Sequence, residues 1–75
     1  MDSTLAKSKL MENLDKTISL EMTNSLGYKI KRRGKLEYQE GWFYMYEPNK
    51  SGSAYCIAIN EKTELHRIIS INVIE

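Results

Sequence analysis

A chain of 75 residues is long enough for one domain spanning residues 1–75, but a domain of this size buries only about 60% of its unfolded surface and depends on tight packing or self-association. The composition is globular, with 41% hydrophobic and 28% charged residues, and the formal net charge of +1 excludes a global field that would demand an anionic partner. One Cys and one His exclude an internal disulfide and a zinc-ligand pattern, so we expect no metal and no cofactor.

The first part of the chain is predicted to form one amphipathic helix over about residues 3–26. Asp2 or Ser3 can cap its start, and Gly27 supplies the left-handed residue that ends many helices. The apolar residues at helical spacing are Leu10, Met11, Leu14, Ile18, Met22 and Leu26. Leu20 lies off this stripe and would be an exposed contact. The helix would cover a sheet or, alternatively, also dock on a partner or a second copy.

After the predicted helix, the apolar pattern changes from helical spacing to alternation, which predicts strands over about residues 28–32 and 35–39. A turn over residues 32–35 would join them, with Gly34 supplying a positive φ. Five cations fall within seven residues of this hairpin: Lys29, Lys31, Arg32, Arg33 and Lys35. On this hairpin, Lys29, Lys31 and Arg33 would share one face, and Arg32 and Lys35 would lie at the tip.

The aromatic run over residues 42–46 is predicted to be a strand, and Gly41 before it marks a bulge or a sharp bend. Alternation along a strand puts Phe43 and Met45 on one face. The other face carries Trp42, Tyr44 and Tyr46. Both faces are bulky and apolar. One can be lined by other strands and the helix, and the other is expected to need a partner surface, a ligand or another subunit.

Two further strands are predicted over about residues 54–59 and 65–74. The resulting fold class is α+β: an N-terminal amphipathic helix followed by a four- to five-stranded antiparallel sheet, which either stays open or closes as a small SH3-like barrel. On the second face of the last strand, Ile68 and Ile74 are expected to need cover, which favours a homo-oligomer.

The closing segment, Leu65 to Ile74, is similar to the basic-then-hydrophobic last strand of the Sm-like small-barrel superfamily, which includes Hfq and the WYL ligand-sensing domain. His66 and Arg67 stand where the second Sm motif often has basic residues. The resemblance covers these ten residues and the order of one helix followed by about five strands. The first Sm motif is not recognisable around Gly34 and Gly41. The resemblance implies a small barrel.

Catalysis is poorly supported by the sequence. A nucleophile needs a base within hydrogen-bond reach, and Cys56 and His66 meet only if their strands pair. Cys56 lies inside an apolar strand, where a buried and inert thiol is expected. The sequence contains no glycine-rich phosphate loop. We therefore predict that the protein is not an enzyme.

The basic hairpin beside the aromatic strand predicts a binding surface, because cations contact phosphates and aromatic rings stack on unpaired bases. We expect a small regulatory nucleic-acid-binding barrel. The alternative is a small phage or mobile-element inhibitor that docks on a host protein through its aromatic strand, with the cations contacting an acidic partner. The predicted binding residues are Lys29, Lys31, Arg32, Arg33, Lys35, Trp42, Tyr44, Tyr46, His66 and Arg67.

The sequence shows no signal-peptide pattern and no apolar run approaching about 18 residues, so we expect no membrane association. One thiol without a disulfide partner is typical of a reducing compartment, which predicts a cytoplasmic protein. The expected partners are nucleic acid or an acidic host protein, together with further copies of the chain.

Overall fold

The structure is a computed structural model that describes residues 1–47 and 57–74. Its fold is α+β, which confirms the predicted class: an N-terminal helix precedes a five-stranded antiparallel sheet of order β4-β3-β2-β1-β5. The elements are α1 (Ser3–Glu12), β1 (Thr17–Thr23), β2 (Lys29–Gln39), β3 (Trp42–Tyr46), β4 (Ile57–Asn60), a 3-10 helix (Leu65–Arg67) and β5 (Ile68–Val73).

The predicted helix over residues 3–26 is wrong in its second half. Helix α1 begins after Asp2, whose carboxylate accepts a hydrogen bond from the Leu5 amide at 3.1 Å, and it ends at Glu12. Asn13 caps the end, and Asp15 takes a positive φ of 67°, so the helix does not continue. Residues 17–23 form β1 instead.

The apolar residues of β1 alternate with polar ones, and the prediction of a helix did not take this alternation into account. Ile18, Leu20 and Met22 are all buried, at 0%, 0% and 3% exposure. Two of them, Ile18 and Met22, are four residues apart and therefore fit a helix as well as a strand. Leu20 between them fits only the strand, so the prediction that it is exposed is wrong. The β-branched Thr17 and Thr23 at the strand's ends also favour the extended chain.

Strand β2 is one continuous strand of 11 residues, so the predicted turn over residues 32–35 is wrong. Its first part, Lys29–Lys35, pairs with β1, and its second part, Lys35–Gln39, pairs with β3. Gly34 does not have a positive φ. A Cβ atom on Gly34 would lie 2.6 Å from the Tyr46 carbonyl oxygen, on the core side of the strand. The glycine is therefore needed because the backbone at the end of β3 crosses close over the core side of β2.

The turn between β2 and β3 is a two-residue hairpin turn rather than a bulge. Gln39 pairs with Trp42, and the two residues between them, Glu40 and Gly41, have φ values of 48° and 88°. Positive φ at both central positions is the hairpin geometry that follows the natural twist of the strands. The predicted aromatic strand over residues 42–46 is confirmed.

The last strand is shorter than predicted, and the strand before it lies partly outside the described residues. The described part of the strand predicted over residues 54–59 is β4, and residues 54–56, with Cys56, lie outside the described residues. The segment predicted as a strand over 65–74 begins as a 3-10 helix, and β5 starts only at Ile68. Between the pairs Met22–Ile68 and Glu21–Ser70, the register of β5 shifts by one residue at Ile69.

The hydrophobic core lies between one side of the sheet and α1. Ala6 and Leu10 of α1 are fully buried and belong to one cluster with residues of the sheet and of the 3-10 helix. The buried members of the cluster from the sheet and the 3-10 helix are Ile18, Leu20, Met22, Leu36, Phe43, Met45, Ile59, Leu65 and Ile68. Among the described residues, no helix has the length and apolar character needed to cross a membrane.

Candidate nucleic-acid interface

The side of the sheet opposite the core carries a line of cations that we call the basic row. In the alternation of β2, Gly34 and Leu36 face the core, so the odd-numbered residues of the strand face outward. The basic row consists of Lys29, Lys31, Arg33 and Lys35, all of them exposed. Neighbouring members are two residues apart, which separates their Cα atoms by about 6.6 Å.

The structure changes the predicted arrangement of the five cations. They do not lie on a hairpin with a basic tip, because β2 runs straight through the expected turn. Lys35 joins the basic row, whereas Arg32 points to the opposite side of β2 and donates a hydrogen bond from Nη1 to the Lys31 carbonyl at 2.8 Å. Arg32 is nevertheless exposed. The cations are thus split between two sides of one strand.

Strand β1 supplies the polar neighbours of the basic row. Glu21 lies opposite Lys31 in the register and forms an ion pair with Lys29 at 3.1 Å. Such exposed pairs contribute about 0–1 kcal/mol, so Lys29 can exchange this partner for another anion at little cost. Ser19 lies opposite Arg33 and next to Asn72 of β5. Over residues 29–35 of β2, four cations on the outer face therefore stand beside one carboxylate of β1.

The second component is the outer side of β3, which we call the aromatic row: Trp42, Tyr44 and Tyr46. Trp42 is 37% exposed and the two tyrosines are half-buried, whereas Phe43 and Met45 on the other side are fully buried. The predicted division of the strand into two faces is therefore confirmed. The rings of Tyr44 and Tyr46 lie with their centroids 6.4 Å apart at an angle of 39°.

The basic row and the aromatic row meet at a single point. Lys35 is paired with Tyr46 in the register of β2 and β3. From there the basic row runs along β2 towards Lys29, and the aromatic row runs along β3 in the same sheet towards Trp42, at the opposite end. The two rows therefore extend in opposite directions from one junction on the outer face of the sheet.

The basic pair predicted from the last strand lies elsewhere. His66 is exposed and Arg67 half-buried, and both belong to the 3-10 helix rather than to a strand. The next residue, Ile68, pairs with Met22, which in turn pairs with Ile30. The pair therefore lies at the end of the sheet where β1 turns into β2, and far along β2 from the aromatic row.

One polar cluster was missed in the sequence analysis, because its three members are far apart in the chain. The Tyr38 hydroxyl donates a hydrogen bond to the Glu61 carboxylate, with distances of 3.0 and 2.9 Å to Oε1 and Oε2. Lys7 of α1 lies 3.3 Å from the same carboxylate. The Glu61 amide also donates to the Gly41 carbonyl at 2.9 Å. These contacts connect α1 and the turn that follows β4 to the β2–β3 hairpin.

The contacts of this cluster stabilise the negative charge on Glu61. The hydrogen bond from Tyr38 lowers the pKa of Glu61 below its ordinary value, and Lys7 acts in the same direction against the effect of burial. The same hydrogen bond and the burial of the ring hydroxyl raise the pKa of Tyr38. Both shifts favour an ionised Glu61 and a protonated Tyr38 at neutral pH, which is the state that the hydrogen bond requires.

Within residues 1–47 and 57–74, no three His, Cys, Asp or Glu side chains cluster in a way that would hold a metal ion. Comparison of the chain with protein-family profiles, with curated proteins and with solved structures gives no match. The geometry of the outer surface is therefore the basis for any functional conclusion.

Proposed function

We propose that this protein is a small, non-enzymatic regulator that binds nucleic acid on the outer surface of its sheet. The observation that carries the proposal is the continuous basic row on β2, which meets the aromatic row at Lys35 and Tyr46. The cations would neutralise phosphates, and the aromatic rings would stack on bases at about 1–3 kcal/mol per base. The proposal includes a cytoplasmic location. It also includes an Sm-like small-barrel arrangement, and the order of one helix followed by five antiparallel strands supports that arrangement.

The proposal is tested by measuring the salt dependence of binding to labelled single-stranded and duplex oligonucleotides, with fluorescence anisotropy as the readout. Each phosphate contact adds about 0.7 to the slope of log K against log salt for a single strand and about 0.9 for a duplex. We expect Lys31→Ala combined with Lys35→Ala to lower the single-strand slope by about 1.4.

The matched control removes two exposed cations that lie outside the basic row. Lys9 on α1 and Lys62 after β4 serve this purpose, and Lys9→Ala combined with Lys62→Ala changes the net charge by the same amount. We expect the control to keep the wild-type slope. No binding at low salt, or equal loss in both double variants, would overturn the proposal.

The competing assignment is a docking surface for an acidic host protein, with the aromatic row as its centre. The partial exposure of Trp42 favours this assignment, because large aromatic side chains dominate many protein interfaces. A pull-down from lysate with and without nuclease separates the two. Capture of a stoichiometric protein that survives nuclease and is lost in Trp42→Ala would support the host-protein assignment instead.

We also propose that the chain self-associates through β5. Within the described residues this strand pairs only with β1 and forms one edge of the sheet. Ile69, Val73 and Ile74 are exposed by 47%, 47% and 44%. Ile68 was expected to need cover from another copy, but it is fully buried in its own chain, so this part of the expectation is wrong. Light scattering that gives a monomer at high concentration would overturn the proposal.

A further inference from the structure

The turn between β1 and β2, residues 24–28, projects two large apolar side chains into solvent. Leu26 is 79% exposed and Tyr28 is 68% exposed, more than any other large hydrophobic residue in the described part of the chain. Both stand at the same end of the sheet, directly before the basic row begins at Lys29. We call this segment the β1–β2 tip.

The β1–β2 tip is held in one conformation by the side chain of Asn24. Its Oδ1 accepts hydrogen bonds from the amides of Leu26 and Tyr28 at 2.9 and 3.0 Å. The backbone adds bonds from the Asn24 amide to the Tyr28 carbonyl at 2.8 Å and from the Gly27 amide to the Asn24 carbonyl at 3.0 Å. Gly27 has a φ of 86°, which suits a tight turn. Because the backbone of the tip is already ordered, binding a ligand there costs little conformational entropy of the protein.

The charges around the β1–β2 tip indicate the chemistry of its ligand. Residues 24–28 carry no charge, whereas Lys29 and Lys31 follow at once along β2. Arg67 and its neighbour His66 precede β5 at the same end of the sheet. An uncharged apolar and aromatic tip that is followed directly by Lys29 and Lys31, with Glu21 the one carboxylate paired beside them, complements a polyanion that exposes flat apolar surfaces. Single-stranded nucleic acid has both properties.

A duplex fits the β1–β2 tip less well than a single strand. In a duplex the bases are stacked on both sides, and an inserted side chain must first separate a base step at a cost of a few kcal/mol. Unpaired bases offer a free face to an aromatic ring without that cost. By the alternation of β2, Tyr28 lies on the same side as Arg32, opposite the basic row. We propose that Tyr28 stacks on an unpaired base and Leu26 packs beside it, and that the nucleic-acid strand passes around this end of the sheet to place its adjoining phosphates on the basic row. The inference rests on the proposed function and adds a base-contacting element to it.

The test uses an oligothymidylate of about 12 nucleotides, within the range of about 4–16 that one small barrel covers, and an abasic strand of equal length and charge. Three variants are compared: Tyr28→Ala, Tyr28→Phe, and Lys31→Ala combined with Lys35→Ala. Stacking is worth about 5- to 150-fold in affinity for a single base. We expect Tyr28→Ala to lose this factor on oligothymidylate with an unchanged salt slope, and Tyr28→Phe to bind within about twofold of wild type because it keeps the ring.

The abasic strand separates contact with bases from contact with phosphates. We expect wild type to bind it more weakly than oligothymidylate, and Tyr28→Ala to lose most of that difference. If Tyr28→Ala matches wild type on both strands while the lysine variant loses affinity and salt slope, the β1–β2 tip is not a base contact and the proposed function survives. If wild type binds neither strand at low salt, both proposals fail. A change in oligomeric state with unchanged binding in Tyr28→Ala would assign the tip to a second copy and overturn the inference.

Discussion

Replacing Gly34 with Ala tests whether the backbone of β3 crosses β2 as closely as the structure shows. An added Cβ would lie 2.6 Å from the carbonyl oxygen, 2.9 Å from the carbonyl carbon and 3.1 Å from the nitrogen of Tyr46. Ordinary contacts between such atoms are about 3.5 Å or more, so the shortest contact is about 0.9 Å too close. All three atoms belong to the backbone and cannot rotate away.

The expected loss of stability follows from what must move. Overpacking of this kind costs about 1–3 kcal/mol. Separating the strands also weakens the hydrogen bonding where Lys35 pairs with Tyr46, at about 1 kcal/mol for each bond lost. These losses of about 2–4 kcal/mol are partly offset by the preference for Ala over Gly in a strand, about 0.5–1 kcal/mol, which leaves a net loss of about 1–3.5 kcal/mol. That is a large part of the stability of a small domain, and each kcal/mol lowers the Tm of a domain this size by about 4–8 °C.

The measurement is urea unfolding followed by Trp42 fluorescence, with thermal unfolding by circular dichroism as a second probe. The sign of the effect is diagnostic, because Ala in a strand without the crossing would be more stable than Gly by about 0.5–1 kcal/mol. The control is Gly27→Ala, where the added Cβ meets nothing within 4 Å and only the positive φ is penalised, at about 1–2 kcal/mol. A Gly34→Ala protein as stable as wild type, or more stable, would refute the close crossing.

Three further results are expected from the same unfolding experiments. Leu20→Ala removes a fully buried side chain and should cost about 2–5 kcal/mol, whereas Leu26→Ala, at a site that is 79% exposed, should stay within about 0.5 kcal/mol; equal effects would contradict the strand assignment. Because the pKa of Glu61 is lowered, its contribution is present above the ordinary value of 4.5 and lost as pH falls through the folded pKa, so wild type should lose more stability between pH 7 and pH 3 than Tyr38→Phe does. Because the pKa of Tyr38 is raised, its contribution is present below the ordinary value of 10.0 and lost as pH rises through the folded pKa, and an alkaline titration of the two proteins should show this as a steeper decline for wild type.

The difference between the predicted and observed helix illustrates the limit of periodicity. Ile18 and Met22 satisfy the spacing of a helix and of a strand, and short segments with such a pattern are ambiguous. The decision depends on Leu20, which is buried only when the segment pairs with β2 on one side and β5 on the other. In these pairings Leu20 lies opposite Arg32, 12 positions away, and opposite Ile71, 51 positions away. The second partner lies outside any local window of sequence.

The candidate interface, like the helix, could be predicted only in part from the sequence. The cluster of cations and the aromatic run are visible in the sequence, and the alternation of residues 42–46 correctly separates Phe43 and Met45 from Trp42. The arrangement of the cations was mispredicted because a glycine among charged residues is typical of a turn. Gly34 instead lies within a strand, where it allows the backbone of β3 to approach closely. The cluster of Tyr38, Glu61 and Lys7 had no signal in any single segment.

The sequence by itself determined the α+β class, the aromatic strand and the presence of a basic segment, because alternation and local charge are properties of neighbouring residues. Only the tertiary structure decided where the helix ends, which cations share a surface and which apolar residues remain exposed. These outcomes depend on strand pairing across the sheet, where a partner far along the chain outweighs local preference.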